Sequence, residues 1–346
     1  MIDIRIAEHT DKNLWDEFVL DHQMAGPYHL FAWKEAIEFA YRHKSYYLIA
    51  NDEKGNIQGV FPLILVKAPF LKGILVSLPF CDYGGILALH PETGKRLVEY
   101  ALDLADSLRA GLDIRCKEQD LNIISSGSFS VSSHKSRMLL ALPESSDVLW
   151  NQFKSKLRSQ IRRPMKEGIE VRMGTGELID DFYQVICRNM RELGSPVHSR
   201  TWFASVIEAF GEKARVCVVY KAGTPVGSGI VLSCGETLTI PWASTISKYN
   251  KFSPNMLLYW EFLKYAADSG HRFFDFGRST PGEGTFKFKE QWGAEPSPLF
   301  WFDKSTQPIS DKGPSALRTY GEKVWARFPG FFTDTLGPWI RRFITL

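Results

Sequence analysis

The sequence predicts a mixed α/β protein built from two similar halves, and three observations carry that expectation. Helical and strand periodicities alternate along nearly the whole chain, as they do where helices pack on sheets. At 346 residues the chain exceeds what one hydrophobic core of common size accommodates. Segments 97–115 (LVEYALDLADSLRAGLDIR) and 257–276 (LLYWEFLKYAADSGHRFFDF) both read helix, glycine stop, buried strand, each after a hairpin-like strand pair. One supersecondary order repeated in each half points to two domains side by side.

In chain order, residues 2–6 alternate as a first strand. Thr10 and Asp11 are cap residues for a helix to about Leu20, with Leu14, Trp15 and Phe18 on one face. A second helix is expected from Leu30 to Arg42. Strands over 45–51 and 57–66 follow, joined by a turn at 52–56. Strands 74–78 and 85–89 flank Pro79-Phe80-Cys81-Asp82-Tyr83-Gly84. Helix 92–109 stops at Gly111, strand 112–115 follows, and a serine-rich loop over 119–138 leads to strand 138–142.

The second unit opens at Ser146 or Asp147 with a helix running to Gly168, which Pro164 is expected to kink or split. Strand 169–173, helices 177–193 and 199–210, and strands 214–220, 225–233 and 237–243 come next. Helix 254–268 has Ser253 as its cap, Pro254 at its first position and Gly270 at its end.

Composition excludes several classes. Hydrophobic content of 44% with 23% charged residues is globular. A net charge of +3 means that affinity for polyanions must come from a local patch. Five scattered cysteines without CxxC or Cys/His ligand spacing argue for reduced thiols, a cytoplasmic setting and neither zinc site nor disulfide frame. The N-terminal residues show no apolar signal-peptide core, and no window approaches a membrane span. Ten tryptophans hint at ring-lined surfaces, and Trp242 is a candidate for such a surface.

The stretch 271–299, HRFFDFGRSTPGEGTFKFKEQWGAEPSPL, concentrates the chemistry. Phe273–Phe276 reads as a buried strand ending at Gly277. A glycine- and proline-rich loop follows, able to let its backbone approach a ligand. Thr285–Lys289 then alternates as a strand, aromatics on one side and Lys287 and Lys289 on the other. An ordinary hairpin with solvated lysines is the plain alternative.

The run FDFGRSTPGEGTFKFKEQWGAEP closely resembles the closing motif of the FemAB-like branch of the GNAT acyltransferase superfamily. It is similar in particular to the FemAB-like proteins found with exosortase/PEP-CTERM and exopolysaccharide loci. The resemblance continues through 153–172, 193–203 and 253–270, thus over the second half, and is looser before residue 140. It implies two tandem GNAT-like domains, residues 1–142 and 143–311, with 312–346 packing back on the first. It also implies an enzyme that passes an acyl or aminoacyl group directly to an amine or hydroxyl of a cell-envelope or exopolysaccharide precursor, peptidoglycan included. The donor would be a co-substrate, with no tightly bound cofactor and no metal.

Two alternatives stay open at this stage: N-acylation from acyl-CoA or acyl-carrier protein, and a non-catalytic scaffold. Where acetyl-CoA-using relatives carry a glycine-rich turn, this chain has Ser247-Lys248-Tyr249-Asn250-Lys251-Phe252-Ser253-Pro254, without glycine and with a proline that removes a donor. Family members without that cradle use aminoacyl-tRNA. Gly227-Ser228-Gly229, the nearest glycine pair, reads as close packing or a bulge at a strand edge.

The catalytic candidates are Lys289, on which the Phe-Lys of the family motif falls, and Asp82. An ammonium at Lys289 would stabilise an oxyanion or the leaving ribose oxygen. Asp82 would orient or deprotonate an acceptor amine, or else only stabilise its turn. Substrate-binding candidates are Tyr83, Arg158, Arg162, Arg163, Lys166, Trp242, Arg278 and Phe288. The four basic ones share a helix with no acid between Asp147 and Glu167, so it is either a solvated face or a phosphate-binding one, tRNA included. Asp275 inside an aromatic strand needs a partner, for which Arg272 and Arg278 are the near choices. His198 is the histidine that falls in a loop matching the family. The tail 325–346 interleaves aromatics with arginines, as either a core-completing helix or a peripheral membrane contact.

Overall fold

The computed structural model describes residues 2–117, 129–304 and 316–346. Its described strands form three sheets. Asp3–Ile6, Leu48–Asn51, Ile57–Phe61 and Leu87–Ala88 make an antiparallel sheet of four. Lys44–Ser45, Ile64–Val66, Ile74–Val76, Gly111–Cys116, Phe300–Lys304 and Ser130–Ser132 make a sheet of six, in that order. The sheet of seven runs Ile169–Gly174, Ala214–Lys221, Thr224–Cys234, Thr237–Thr245, Phe273–Ser279, Ser136–Ala141 and Glu295–Pro298.

The repeated order is visible as two parallel strand pairs, each with a helix on the crossover. Ile74–Val76 pairs with Gly111–Cys116 across helix Pro91–Ser107, and Thr237–Thr245 pairs with Phe273–Ser279 across helix Pro254–Asp268. Parallel strands cannot be joined by a tight turn, so each half needs its helix. Pro254 does sit at the first position of its helix, and Gly270 follows its end at φ 78°, where a side chain would be strained. Ser253 precedes the helix in a left-handed conformation and makes no side-chain cap.

Several expectations change. The strand read over 45–51 breaks at Tyr46-Tyr47, and the one over 57–66 breaks at Pro62-Leu63. The two pieces of each join different sheets, and Pro62 marks the second corner because it has no N–H for a ladder. On the first helix, Lys12–Asp21, Trp15 and Val19 are buried while Leu14 points to solvent. The long basic helix is in fact two, Ser146–Gln152 and Ser155–Lys166. The break falls at Phe153-Lys154, both extended, and not at Pro164, which sits in the last turn of the second helix. Phe153 leaves the helix to bury its ring against Trp260 and Trp292, at 5.8 and 5.6 Å. Ser145, one residue earlier than expected, accepts the capping bond from Val148 N.

Helix packing and strand exchange both tie the two halves. Helix Phe31–Tyr41 packs along helix Arg200–Phe210. Trp33 there meets Trp202 edge-on at 5.1 Å and lies parallel to Trp242 at 6.0 Å, while Tyr41 stacks on Trp202 at 5.5 Å. Strands are also exchanged across the expected boundary at residue 142. Ser136–Ala141 inserts between Phe273–Ser279 and Glu295–Pro298, and Phe300–Lys304 returns to pair with Gly111–Cys116. The serine-rich loop expected over 119–138 lies partly outside the described residues; within them it contains strand Ser130–Ser132.

The tail forms helices Ala316–Arg327 and Gly330–Arg341, which pack on helix Ile179–Glu192 of the second half. Its last residues bond to the first half. Thr345 O accepts from Phe80 N at 2.7 Å and from Arg115 Nη1 at 3.0 Å, and Arg342 O accepts from His43 Nε2 at 2.8 Å. Arg115 is fully buried and paired with Asp113 at 2.7 Å, and it also donates to Cys81 O. Replacing Arg115 by Met should therefore strand a buried carboxylate and release the chain end, lowering stability by about 3–5 kcal/mol. Urea unfolding measures this, and adding Asp113→Leu should restore most of the loss.

Candidate active site

The loop between Ile74–Val76 and Leu87–Ala88 is held in an uncomfortable conformation. Leu78 and Phe80 both lie at φ 69°, where side chains crowd the backbone. The bonds from Arg115 and Thr345 to this loop keep it there. The outcome is that Asp82 projects out of the first half toward the second.

Asp82 meets the end of strand Phe273–Ser279. Its Oδ2 accepts from Arg278 N at 3.0 Å, and Oδ1 lies 3.3 Å from Arg278 Nε. Its carboxylate thus serves the other half of the chain and not its own turn. Gly277 is at φ 70°, and a Cβ there would stand 3.2 Å from Asp82 Oδ2, so the approach depends on glycine. Gly277 N in turn donates to Asp275 Oδ1 at 2.9 Å. Two carboxylates from opposite directions thereby hold the two N–H groups of one dipeptide.

Asp275 itself is completely buried. Neither Arg272 nor Arg278 partners it: Arg272 pairs with Glu236, and Arg278 with Asp82. The partner is Arg137, whose Nε lies 2.6 Å from Asp275 Oδ2, with Tyr83 OH donating at 3.3 Å. The neighbouring carboxylate drives the Arg137 pKa up despite burial, and burial drives the Tyr83 pKa up. Arg137 is the residue that sequence reasoning missed. It lies 138 positions from Asp275, and the inserted strand alone brings it there.

The segment expected as an alternating strand over 285–289 is instead helix Gly284–Glu290. A helix separates residues two apart by about 200°, so Lys287 and Lys289 do not share a face. Lys287 is exposed and Lys289 is buried, at 7% of its free surface. The helix reverses the chain, so Lys289 Nζ reaches back to donate to Gly277 O at 3.1 Å and Arg278 O at 2.7 Å. Burial pushes its pKa down to about 8, against the pull of Asp82 and Asp275. The dipeptide Gly277-Arg278 is thus bonded on all four backbone polar groups. Among the described residues those two carbonyls take two of the three ammonium protons.

The parallel pairing of Thr237–Thr245 with Phe273–Ser279 covers only Thr237 to Thr239 against Phe273 to Asp275. The pairing stops at Asp275, and the register against Thr224–Cys234 slips between Ile230 and Leu232. Pro241, which has no N–H for a ladder, lies just past the last of these pairs. Trp242, next along, stands half-buried there and parallel to Trp33.

The remaining candidates distribute as follows. Tyr83 is buried beneath the site, its ring under Lys117 and Arg137, so it supports Asp275 from behind. Phe288 packs edge-on against Tyr259 at 4.9 Å. Arg278 is one-third exposed, 5.7 Å from the Trp301 ring. Helix Ser155–Lys166 buries Leu157, Ile161 and Pro164 and turns Arg162, Arg163 and Lys166 to solvent, with Arg158 partly covered. Arg162 lies over Trp150 and Arg163 donates to Lys251 O, while no carboxylate pairs with the helix among the described residues. His198 is buried and bonded to Tyr41 OH at 2.7 Å. Gly227 and Gly229 lie within a strand and not at its edge; side chains there would collide with Val219 and Phe262, as close packing requires. No cluster of metal-ligating side chains occurs among the described residues.

Residues 151–290 match the family model described as acetyltransferase (GNAT) domain. The chain is 23% identical over 161 residues to UDP-N-acetylmuramoylpentapeptide-lysine N(6)-alanyltransferase of Weissella viridescens. That alignment covers 45% of this chain and 47% of the relative, so it spans about half the length of the curated protein it matches. The crystal structure of FemX superposes with a TM-score of 0.68 at 16% identity, covering 87% of this chain and 97% of that one. A tandem GNAT protein from the clavulanic acid biosynthesis pathway superposes with a TM-score of 0.57 at 12% identity, covering 89% and 100%. The fold is that of two GNAT-like α/β domains in tandem.

The lowered pKa of Lys289 has a thermodynamic signature. Between pH of about 8 and the ordinary 10.5, the unfolded chain holds a proton on Lys289 that the folded chain has released. Stability therefore rises with pH across that window. Denaturant unfolding of wild type and Lys289→Met should show the difference between them growing in favour of wild type from pH 8 upward. A pH-independent difference would mean an unperturbed amine.

Proposed function

We propose that this protein is a transferase that moves an aminoacyl group from a charged tRNA directly onto an amine of a cell-envelope precursor. The single observation that carries the reading is Lys289, buried and fixed by two carbonyls at the joint of the two halves. A preorganised donor of that kind serves a charge that appears only in the transition state. The similarity to an alanyltransferase and to FemX supports the class of reaction. The segment 247–255 has no glycine-rich turn, which favours tRNA over acyl-CoA as donor.

In this scheme the neutral amine of the acceptor attacks the ester carbonyl of the aminoacyl-tRNA. A C–N bond forms and the bond to the ribose oxygen breaks. The Lys289 ammonium stabilises the oxyanion and hands its proton to the departing oxygen; the amine's own proton returns it. A pKa of about 8 suits both steps near neutral pH. Arg278, with Asp82 fixing its backbone, faces the anionic parts of either substrate. The basic face of helix Ser155–Lys166 takes the tRNA backbone. An acceptor belonging to an exopolysaccharide is the finer reading, and it rests on the motif in 274–296. A cytoplasmic location follows from the donor.

Lys289→Met should lower kcat and kcat/KM together by about a hundredfold, with substrate affinity little changed. Lys287→Met, on the opposite face of the same helix, should cost far less. The assay is transfer of a radiolabelled aminoacyl group from tRNA to peptidoglycan and polysaccharide precursors, with acyl-CoA offered in parallel. Transfer from acyl-CoA alone would replace the donor assigned here, and full activity in Lys289→Met would remove the catalytic role.

Charge reversal at Arg158 and Arg162 should weaken tRNA binding at least tenfold and flatten its salt dependence, with an unchanged melting temperature. Filter binding across salt concentrations reads this directly. Unchanged affinity would make the helix a solvated face.

A further inference from the structure

Helix Gly330–Arg341 is built inside out. Its inward face carries Thr333 and Gly337, and at Gly337 a side chain would come within 3.2 Å of Val197 N. Its outward face carries Phe331, Phe332, Leu336 and Trp339, with Phe331 76% and Trp339 58% exposed. A helix in water places its large apolar residues the other way round. The exposed rings are contiguous with those around them: Phe328 lies 6.2 Å from Phe332, and Trp339 lies 5.9 Å from Phe343. Phe343 in turn lies 6.2 Å from His43 on the first half.

A second element of the chain shows the same chemistry. The turn between Ile64–Val66 and Ile74–Val76 reads Lys67-Ala68-Pro69-Phe70-Leu71-Lys72-Gly73. Phe70, at φ 63°, is fully exposed, and Leu71 is 65% exposed. Lys44 pairs with Leu65 on the strand that leads into this turn, and the residue before it, His43, is bonded to Arg342 O and lies 6.2 Å from Phe343. Phe39, also exposed, ends the neighbouring helix there.

Cations frame these rings. Lys67 and Lys72 bracket the Phe-Leu tip, Arg42 covers Phe39, and Lys323 and Arg327 are exposed on the preceding tail helix. The turn contains no acid, and helix Gly330–Arg341 carries a single exposed one, Asp334. A second copy of the chain meeting this face would set like charges against each other. An anionic leaflet would neutralise them while accepting the rings, which are the side chains that settle at a lipid interface. Among the described residues no helix is long and apolar enough to cross a bilayer, so the contact is with a surface.

We propose that the outer face of helix Gly330–Arg341 and the tip Phe70-Leu71 together dock this protein on an anionic lipid bilayer. The rings enter the headgroup layer, and the surrounding lysines and arginines lie against lipid phosphates.

Flotation of the intact chain with vesicles of phosphatidylcholine, with and without phosphatidylglycerol, tests this. The chain should float with the phosphatidylglycerol vesicles and come off as salt is raised. Phe331→Ser/Trp339→Ser and Phe70→Ser/Leu71→Ser should each lower the bound fraction at least tenfold, with melting temperatures unchanged. Absence of flotation with either vesicle would overturn the proposal, as would flotation that neither pair of substitutions reduces. A dimer seen by light scattering, abolished by Phe331→Ser/Trp339→Ser and unaccompanied by vesicle binding, would assign the face to a second copy instead.

Discussion

The peptide pair Gly277-Arg278 is the constraint on which the site depends. Its two N–H groups are held by Asp275 and Asp82, and its two carbonyls hold Lys289. Asp275 belongs to the second half and Asp82 to the first, so the geometry exists only when the halves are docked. Each support has its own support behind it. Asp275 is paired with Arg137 and accepts from Tyr83, and Asp82 is delivered by a strained loop that Arg115 and the chain end hold in place. A buried carboxylate deprived of its cation costs several kcal/mol, so these outlying residues hold the geometry around Lys289.

The electrostatic pattern has a direction. Buried charges are paired: Arg115 with Asp113, and Arg137 with Asp275. Lys289 is bonded to two carbonyls in place of a carboxylate, so burial outweighs the pull of Asp82 and Asp275 and its pKa falls. A direct ion pair would have pinned the amine in its charged form. Dipoles hold it in place and leave its proton transferable.

Local order was legible in the sequence where local residues decide it. Helix Pro254–Asp268, with its proline start and glycine end, and the order helix, glycine stop, buried strand in each half follow from patterns visible within twenty residues. The segment 285–289 misleads because alternation over five residues fits a strand as well as one turn of helix. The choice is made by tertiary structure: only a reversal at Gly284–Glu290 returns Lys289 to residues 277 and 278. The break at Phe153 carries no proline or glycine, and the decision lies in the ring's burial against Trp260 and Trp292. Arg137 was beyond reach for a different reason. Its link to Asp275 is a property of strand exchange, and strand order is not written in any short window.

That exchange also bears on how the chain is made. Strand Gly111–Cys116, central in its sheet, has its neighbour Phe300–Lys304 nearly two hundred residues downstream. During synthesis the first half leaves the ribosome with an open edge that nothing nearby can cover, while the seven-stranded sheet takes in Ser136–Ala141 at once it reaches Phe273–Ser279. Contacts of such long sequence separation form slowly, and uncovered edges invite pairing with other chains. The second half must therefore mature before the first can close, and nascent chains stalled short of residue 300 would be the aggregation-prone species.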